Sequence, residues 1–356
     1  MGGHLTEKII LEQGVPQGDV VSPYVFILMV EVLLIKINHT ANIEGINFAK
    51  SEGRSETFAD DTTIYITRSE TNLRNCVKYI SAFATISGLQ CNLDKTLVVP
   101  LGGNYDVTDV LCSDLDLKWQ DNFTILGFDI DSKLQKLNTN FDKAHKKVNG
   151  IISKWQGYKL SLDGRITITK SLLLSHYTYI ASVLDMPVNM FETIQSNLNS
   201  FIFTNKICKA DNTYQPWVNT DVLYREKADG GFGMIRVDHF FHGLKCSWIK
   251  RYVVNAVDDH WGDLLDIHLK LTPDTREELL LWGAEKLNSI ISKKIPCISN
   301  FLASYKILKE NFPTPIECLD NRWFTQPVFY NQNISMKNIK TKSKKNPLGN
   351  RRIGPY

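Results

Sequence analysis

Apolar and polar positions change their period once along this chain. Up to about Ile130 the pattern is mixed, with short alternating runs that read as strands and two helical stretches between glycines; from Thr139 to Asn205 the spacing is helical throughout. Thr6 to Glu12 alternates as a strand and runs into Gln13-Gly14-Val15-Pro16-Gln17-Gly18-Asp19, a loop stiffened by Pro16 and given freedom by its glycines. Ser22-Pro23 then reads as the N-cap and first turn of a helix ending near Asn38. Its apolar residues surround almost the whole circumference, which predicts a helix at the centre of a core.

An extended segment over Ile43 to Phe48 and a turn at Gly53 precede a hairpin in Thr57 to Ile66. Ser69 opens a helix with Leu73, Val77, Ile80, Phe83 and Ala84 on one face and Gly88 as its stop. Short strands are expected at Leu97 to Val99 and Phe123 to Ile130, all around one small sheet. Further on, one helix carries Phe141, His145, Val148, Ile152 and Trp155, a second follows Ser161 to Arg165 and runs to about Leu184, and a third follows Pro187. A glycine-rich turn at Asp229 to Gly233 leads to a helix from near Asp238 with Phe241, Leu244, Trp248 and Tyr252. Helical but less regular sequence continues to about Tyr330, and a basic tail from Ile334 is expected to be disordered. The class is α+β: a small antiparallel sheet with helices, then helices alone.

Composition narrows the setting without naming a function. The 356 residues suffice for about two domains, and a net charge of +3 decides little until the lysines are located. The seven cysteines are odd in number, widely spaced and without a C-x-x-C pair, so they read as reduced intracellular thiols. The expected location is intracellular, cytoplasm or nucleus, with no secretion. The longest apolar run, Val25 to Ile37, is broken by Glu31 and Lys36 and falls short of the roughly 20 residues of a membrane span, so no membrane is expected as a partner. Met1 to Thr6 fits the loose N-myristoylation pattern only weakly.

Candidate chemistry centres on Asp60 and Asp61. On a plain strand they would point to opposite faces, whereas at a hairpin tip both can reach a common point. Two bare carboxylates about 4 Å apart repel by roughly 4 kcal/mol at an effective dielectric near 20. A divalent cation reverses the sign, and Mg²⁺ is typically held by one or two carboxylates together with phosphate oxygens. Along the first two long helices Lys133, Lys136, Lys143, Lys146, Lys147, Lys154, Lys159, Arg165 and Lys170 are opposed only by Asp142 and Asp163, a surface suited to a phosphate backbone. His239 and His242 stand three apart on a helix but lack acidic or thiol partners at matching spacing, so metal binding there is not expected.

These pieces in this order resemble the reverse transcriptase of non-LTR (LINE-type) retrotransposons. Gly14 to Asp19 with Ser22-Pro23 is similar to that family's motif B, and Phe58-Ala59-Asp60-Asp61 to motif C. Gly88-Leu89 with Asn92 and Lys95 is similar to motif D, and Ile125-Leu126-Gly127 to motif E. The similarity continues through Leu160 to Arg165 and Gly230 to Gly233, and reaches Gln326 to Asn331. The resemblance implies a partial palm over 1–130, a helical thumb over 131–228, a helical connecting region over 229–333 and a basic tail over 334–356.

It also implies an RNA template, a DNA primer, deoxynucleoside triphosphates and Mg²⁺ or Mn²⁺. Asp60 and Asp61 would be the metal-binding catalytic pair, and Lys95 a catalytic lysine near the triphosphate. Pro16, Gln17, Gly18, Phe58 and Ala59 would line nucleotide and template. Lys143, Lys146, Lys147, Lys154 and Arg165 would grip the nucleic-acid backbone. The family carries a further aspartate in motif A, well upstream of motif B, and here only about a dozen residues precede motif B. Fingers and motif A are therefore expected to be missing, the metal to bind only in a completed site, and the chain to be inactive alone. The alternative is a non-catalytic RNA- or DNA-binding protein derived from such an element; an intron-encoded maturase fits less well, since nothing here resembles its splicing region.

Overall fold

The computed structural model describes residues 14–48, 51–102, 108–207, 214–254, 260–295 and 297–311. The strand expected over Thr6 to Glu12, the Gln326 to Asn331 segment and the basic tail lie outside them. The chain divides into two compact units, Met1–Gln135 and Lys136–Tyr356.

In the first unit, helix α1 (Ser22–His39) is followed by the antiparallel pairs β1 (Ile46–Phe48) with β2 (Ser51–Gly53) and β3 (Ser55–Phe58) with β4 (Asp61–Ile64). Helix α2 (Glu70–Ser87) comes next, then the parallel pair β5 (Leu97–Val98) with β6 (Lys118–Trp119), and the antiparallel pair β7 (Asn122–Ile125) with β8 (Phe128–Asp131). The class is α+β, but in place of the expected single sheet the described residues form four separate two-stranded ladders, one of them parallel.

Three local expectations are corrected. Gly53 is a strand residue paired with Ile46, and a side chain at Gly45 would place its Cβ about 2.3 Å from the Gly53 carbonyl oxygen, so the close approach there needs glycine. Phe123 to Ile130 is a hairpin and not one strand: Leu126 (φ 47°) and Gly127 (φ 81°) both adopt left-handed backbone and turn the chain. Finally, α1 is not enclosed. Val30, Leu33, Leu34 and Ile37 are buried on one stripe, while Tyr24, Ile27, Leu28, Val32 and Ile35 are exposed. By length and composition this helix is long and apolar enough to cross a membrane. Leu33 and Ile37 of this stripe pack with Ile43 and Cys76, with Ile64, Ile66, Tyr79 and Phe83 around them.

Polar contacts lock these elements. The Arg54 guanidinium donates to the Asn38 carbonyl at 2.7 Å, and with the Ile37 and Thr40 carbonyls it satisfies the free end of α1. Buried Asn72 on α2 accepts from the Glu44 N–H (3.1 Å) and donates to the Thr67 hydroxyl (2.7 Å). Gly88 ends α2 as expected, with φ 72° and its N–H on the Ala84 carbonyl.

The second unit is helical: α3 (Thr139–Trp155), α4 (Leu162–Ile168), α5 (Ser175–Val183), α6 (Val188–Thr204), α7 (Thr220–Tyr224), α8 (Val237–Val254), α9 (His260–Leu269), α10 (Glu278–Leu281), α11 (Ala284–Ile291) and α12 (Ile298–Asn311). The helix expected to follow Arg165 starts earlier, because the Ser161 hydroxyl accepts from the Gly164 N–H and caps Leu162. A π-turn over Thr169–Leu173 then separates α4 from α5.

Phe141, Val148 and Ile152 of α3 are fully buried, as are Leu173, Tyr177, Ile194 and Leu198. A further cluster joins Tyr252, Leu265, Leu279, Leu287 and Leu302. Within it the Arg276 guanidinium donates to both oxygens of buried Asp266, at 2.9 and 3.0 Å, and the Tyr252 hydroxyl donates to the same carboxylate at 2.7 Å. Lys245, buried on α8, donates to the Val183 (2.8 Å) and Leu184 (2.7 Å) carbonyls and so caps α5.

Candidate functional site

Strand β3 pairs with β4 from Ser55 opposite Ile64 to Phe58 opposite Asp61, which leaves Ala59 and Asp60 as a two-residue turn. Ala59 has φ 55°, a left-handed conformation costly for any residue with a Cβ. Asp61 is therefore the first residue of β4 and shares a face with Phe58, while Asp60 stands at the tip. Both carboxylates are exposed, and neither makes a hydrogen bond or ion pair among the described residues. Phe58 is 68% exposed.

The base of the hairpin, by contrast, is held. Ile64 and Ile66 enter the α1–α2 core, and the Ser55 hydroxyl donates to the Asn38 side chain at 2.9 Å. The Tyr65 hydroxyl donates to Glu56 at 3.3 Å, and burial pushes its pKa up to about 12. A fixed base thus presents two adjacent acids to solvent.

At the other end of α1, Gly14 (φ 86°) and Gly18 (φ 91°) bend the loop holding Pro16 and Gln17, both exposed. The Ser22 hydroxyl does not cap the helix as expected. It folds back to donate to the Pro16 carbonyl (2.8 Å) and to Asp19 (3.2 Å), so its capping capacity is used to hold the loop. Lys95 is exposed on a third element, a turn closed by its own N–H on the Asn92 carbonyl at 3.1 Å. The structure thus groups Phe58, Ala59, Asp60 and Asp61 on one hairpin and Pro16, Gln17 and Gly18 on one loop, and gives Lys95 a turn of its own.

Hard carboxylate oxygens are the donor type that Mg²⁺ and Mn²⁺ prefer, so Asp60 and Asp61 fit part of such a ligand set. Among the described residues no third His, Cys, Asp or Glu joins them in a group able to hold a metal ion.

In the second unit Lys143, Lys146, Lys147 and Lys154 are all exposed on α3. At 3.6 residues per turn they fall within roughly 100° of arc, opposite buried Phe141, Ala144, Val148 and Ile152. Gly150 lies on the same arc, and a Cβ there would meet nothing within 4 Å. The sequence reading missed it, although an exposed mid-helix glycine with lysines three and four residues before it and four after it was a usable signal.

Arg165 and Lys170 do not extend this stripe. Arg165 is half-buried and burial lowers its pKa; Lys170 is half-buried and donates to the Gly233 carbonyl at 3.0 Å. The His242 ring shares a hydrogen bond with the Ser304 hydroxyl at 3.0 Å and stacks on Phe191, and burial lowers the pKa of both His239 and His242.

Residues 1–130 match the family model for reverse transcriptase (RNA-dependent DNA polymerase). The match takes in the Pro16–Gly18 loop, the Asp60–Asp61 hairpin and the Lys95 turn, and ends before the lysine-bearing helix. That region is similar to the polymerase domain of reverse transcriptases, a family that works on a nucleic-acid template with nucleotide substrates and generally with divalent metals.

Proposed function

We propose that the chain is part of a non-LTR retrotransposon reverse transcriptase, with palm elements in 1–130, a thumb in 131–228, a connecting region in 229–333 and a basic tail in 334–356. The observation that carries this reading is the pair Asp60 and Asp61, without a partner among the described residues, at a hairpin turn inside the region that matches the reverse transcriptase family. When bound there, Mg²⁺ or Mn²⁺ would neutralise charge developing on the nucleotide phosphates and acidify the primer hydroxyl. The carboxylate oxygens of Asp60 and Asp61 would hold the metal, on a hairpin whose base is packed into the α1–α2 core. Gln17 and Gly18 face nucleotide and template, where a glycine admits a base pair closely. Lys95 supplies positive charge near the triphosphate. The α3 lysines bind the backbone of the template-primer duplex, and Gly150 leaves room for that backbone against the helix.

Among the described residues two carboxylates are one short of a site that bridges two metal ions, so in this reading the chain does not polymerise by itself. Primer extension on an RNA template with Mg²⁺ or Mn²⁺ tests it. The expected result is no synthesis by the purified chain and synthesis once a fingers-palm fragment carrying the motif A aspartate is added. Template-dependent extension by the chain alone refutes the inactivity; no extension even with the fragment favours the second reading, a nucleic-acid-binding protein without catalysis. The α3 lysine stripe is the observation behind that second reading.

A further inference from the structure

A second aromatic and basic feature lies at the far end of α3 and is independent of the carboxylates. Tyr158, just past the helix, is 62% exposed, and Trp217 is also 62% exposed. Both are pinned to the last turn of α6. Asn205, which ends α6 with φ 58°, donates through its side-chain amide to the Gln156 (3.1 Å) and Tyr158 (3.2 Å) carbonyls. Two residues earlier, Phe203 holds Trp217: the indole N–H donates to the Phe203 carbonyl at 3.5 Å, and the two rings meet edge-on at 6.2 Å. Tyr214 stacks on Phe203 at 5.8 Å, and Trp155 lies beside Tyr158 at 5.3 Å. Two large aromatic side chains are therefore anchored at one end of the helical unit and left open to solvent.

The described segments that carry them hold charge of one sign. Residues 154–160, 205–207 and 214–219 contain Lys154, Lys159 and Lys206 and no Asp or Glu. All three lysines are exposed and without an ion-pair partner among the described residues. Exposed aromatics are ordinary singly. A pair fixed at one place among unneutralised lysines matches what an unpaired strand needs, a π-face for a base and cations for its phosphates. A duplex hides its base faces and gains nothing from the rings.

We propose that Tyr158 and Trp217, with Lys154, Lys159 and Lys206, form a stacking platform for single-stranded nucleic acid, RNA or DNA. This rests on the nucleic-acid reading above and shares Lys154 with the α3 stripe, while its aromatic residues and other two lysines lie off that stripe.

The test is fluorescence anisotropy of the full chain with labelled oligo(rA), oligo(dA) and an RNA–DNA duplex over a range of salt. Tyr158→Leu and Trp217→Leu keep apolar bulk and remove the aromatic face. Each is expected to weaken single-strand binding about tenfold, with duplex binding and salt slope unchanged. Tyr158→Phe should bind as the parent does. Changing the three lysines to Gln should lower the single-strand salt slope by about two. Leucine variants that bind single strands like the parent overturn the platform, as do variants that lose duplex and single strand alike. If the parent binds duplex but no single strand, this proposal fails while the polymerase reading stands. If it binds neither, both fail.

Discussion

Phe58 and Asp61 face each other as the last ladder pair of the β3–β4 hairpin, so the acidic pair sits where the strand reverses and not along it. The placement puts two like charges side by side in solvent with no ion-pair partner among the described residues. Asp60→Asn or Asp61→Asn should therefore slightly stabilise the chain in metal-free buffer. Adding Mn²⁺ should stabilise the parent more than either variant. Thermal melts with and without Mn²⁺, together with the Mn²⁺ electron-spin resonance signal, read both effects. Equal responses in parent and variants would remove the carboxylates as metal ligands.

A second described hairpin turn, Leu126-Gly127, carries a fixable strain. Leu126 has φ 47° and is 41% exposed, so its side chain is only partly buried in return for a conformation that suits Asn or Gly. Leu126→Asn should raise stability by about 1 kcal/mol in urea denaturation, since the left-handed penalty for a bulky residue is of that order.

How legible these elements were follows from their punctuation. Ser69 and Gly88 bracket α2, and the structure begins and ends the helix between them. Leu126 carries no turn signal, which is why β7 and β8 read as one strand. Helix α1 is apolar all round, so its sequence gave no direction for the core, and only the packing of Val30, Leu33, Leu34 and Ile37 reveals it. Ser22 fitted a cap by residue type, yet the nearby Pro16 carbonyl and Asp19 claimed its hydroxyl. In the candidate site the hairpin and loop were readable because chemistry and spacing coincide within ten residues. Gly150 and the Tyr158–Trp217 pair depend on helical phase and on contacts between distant segments.

The Asp266–Arg276 pair has the opposite character to the exposed acids. Both side chains are almost fully buried, and Tyr252 donates to the same carboxylate. Removing one partner strands the other charge in the core, so Asp266→Asn should cost about 3 kcal/mol. Gly262→Ala should cost less, because its Cβ would meet the Arg276 Nη2 at 3.1 Å and tilt the guanidinium. Denaturation midpoints in that order support the geometry; a neutral Asp266→Asn contradicts it.

Burial lowers the pKa of His145, His239 and His242 below the ordinary 6.5. Between the folded and unfolded values the unfolded chain binds more protons, so stability rises with pH there. The contribution is whole above about pH 6.5 and is lost as pH falls through the folded values. Denaturation from pH 8 to 5 should show helical-unit stability falling below that point. His242→Gln should flatten the slope, and a parent profile flat over this range would show that these rings titrate normally.

The exposed side of α1 supplies the last test. Val21, Tyr24, Leu28, Val32 and Ile35 follow one another at three- and four-residue intervals and are all exposed. That spacing forms a continuous apolar stripe, opposite the one already buried, of the kind that packs against another element. In the polymerase reading its cover is further palm, whether from adjoining sequence of the same protein or from a separate fragment. Leu28→Lys with Val32→Lys changes two mostly exposed side chains, so stability should change by no more than about 0.5 kcal/mol. The same pair should abolish association with a fingers-palm fragment, read by size-exclusion or by loss of complemented primer extension. Charged variants that still assemble and extend would show that α1 is not where the palm closes.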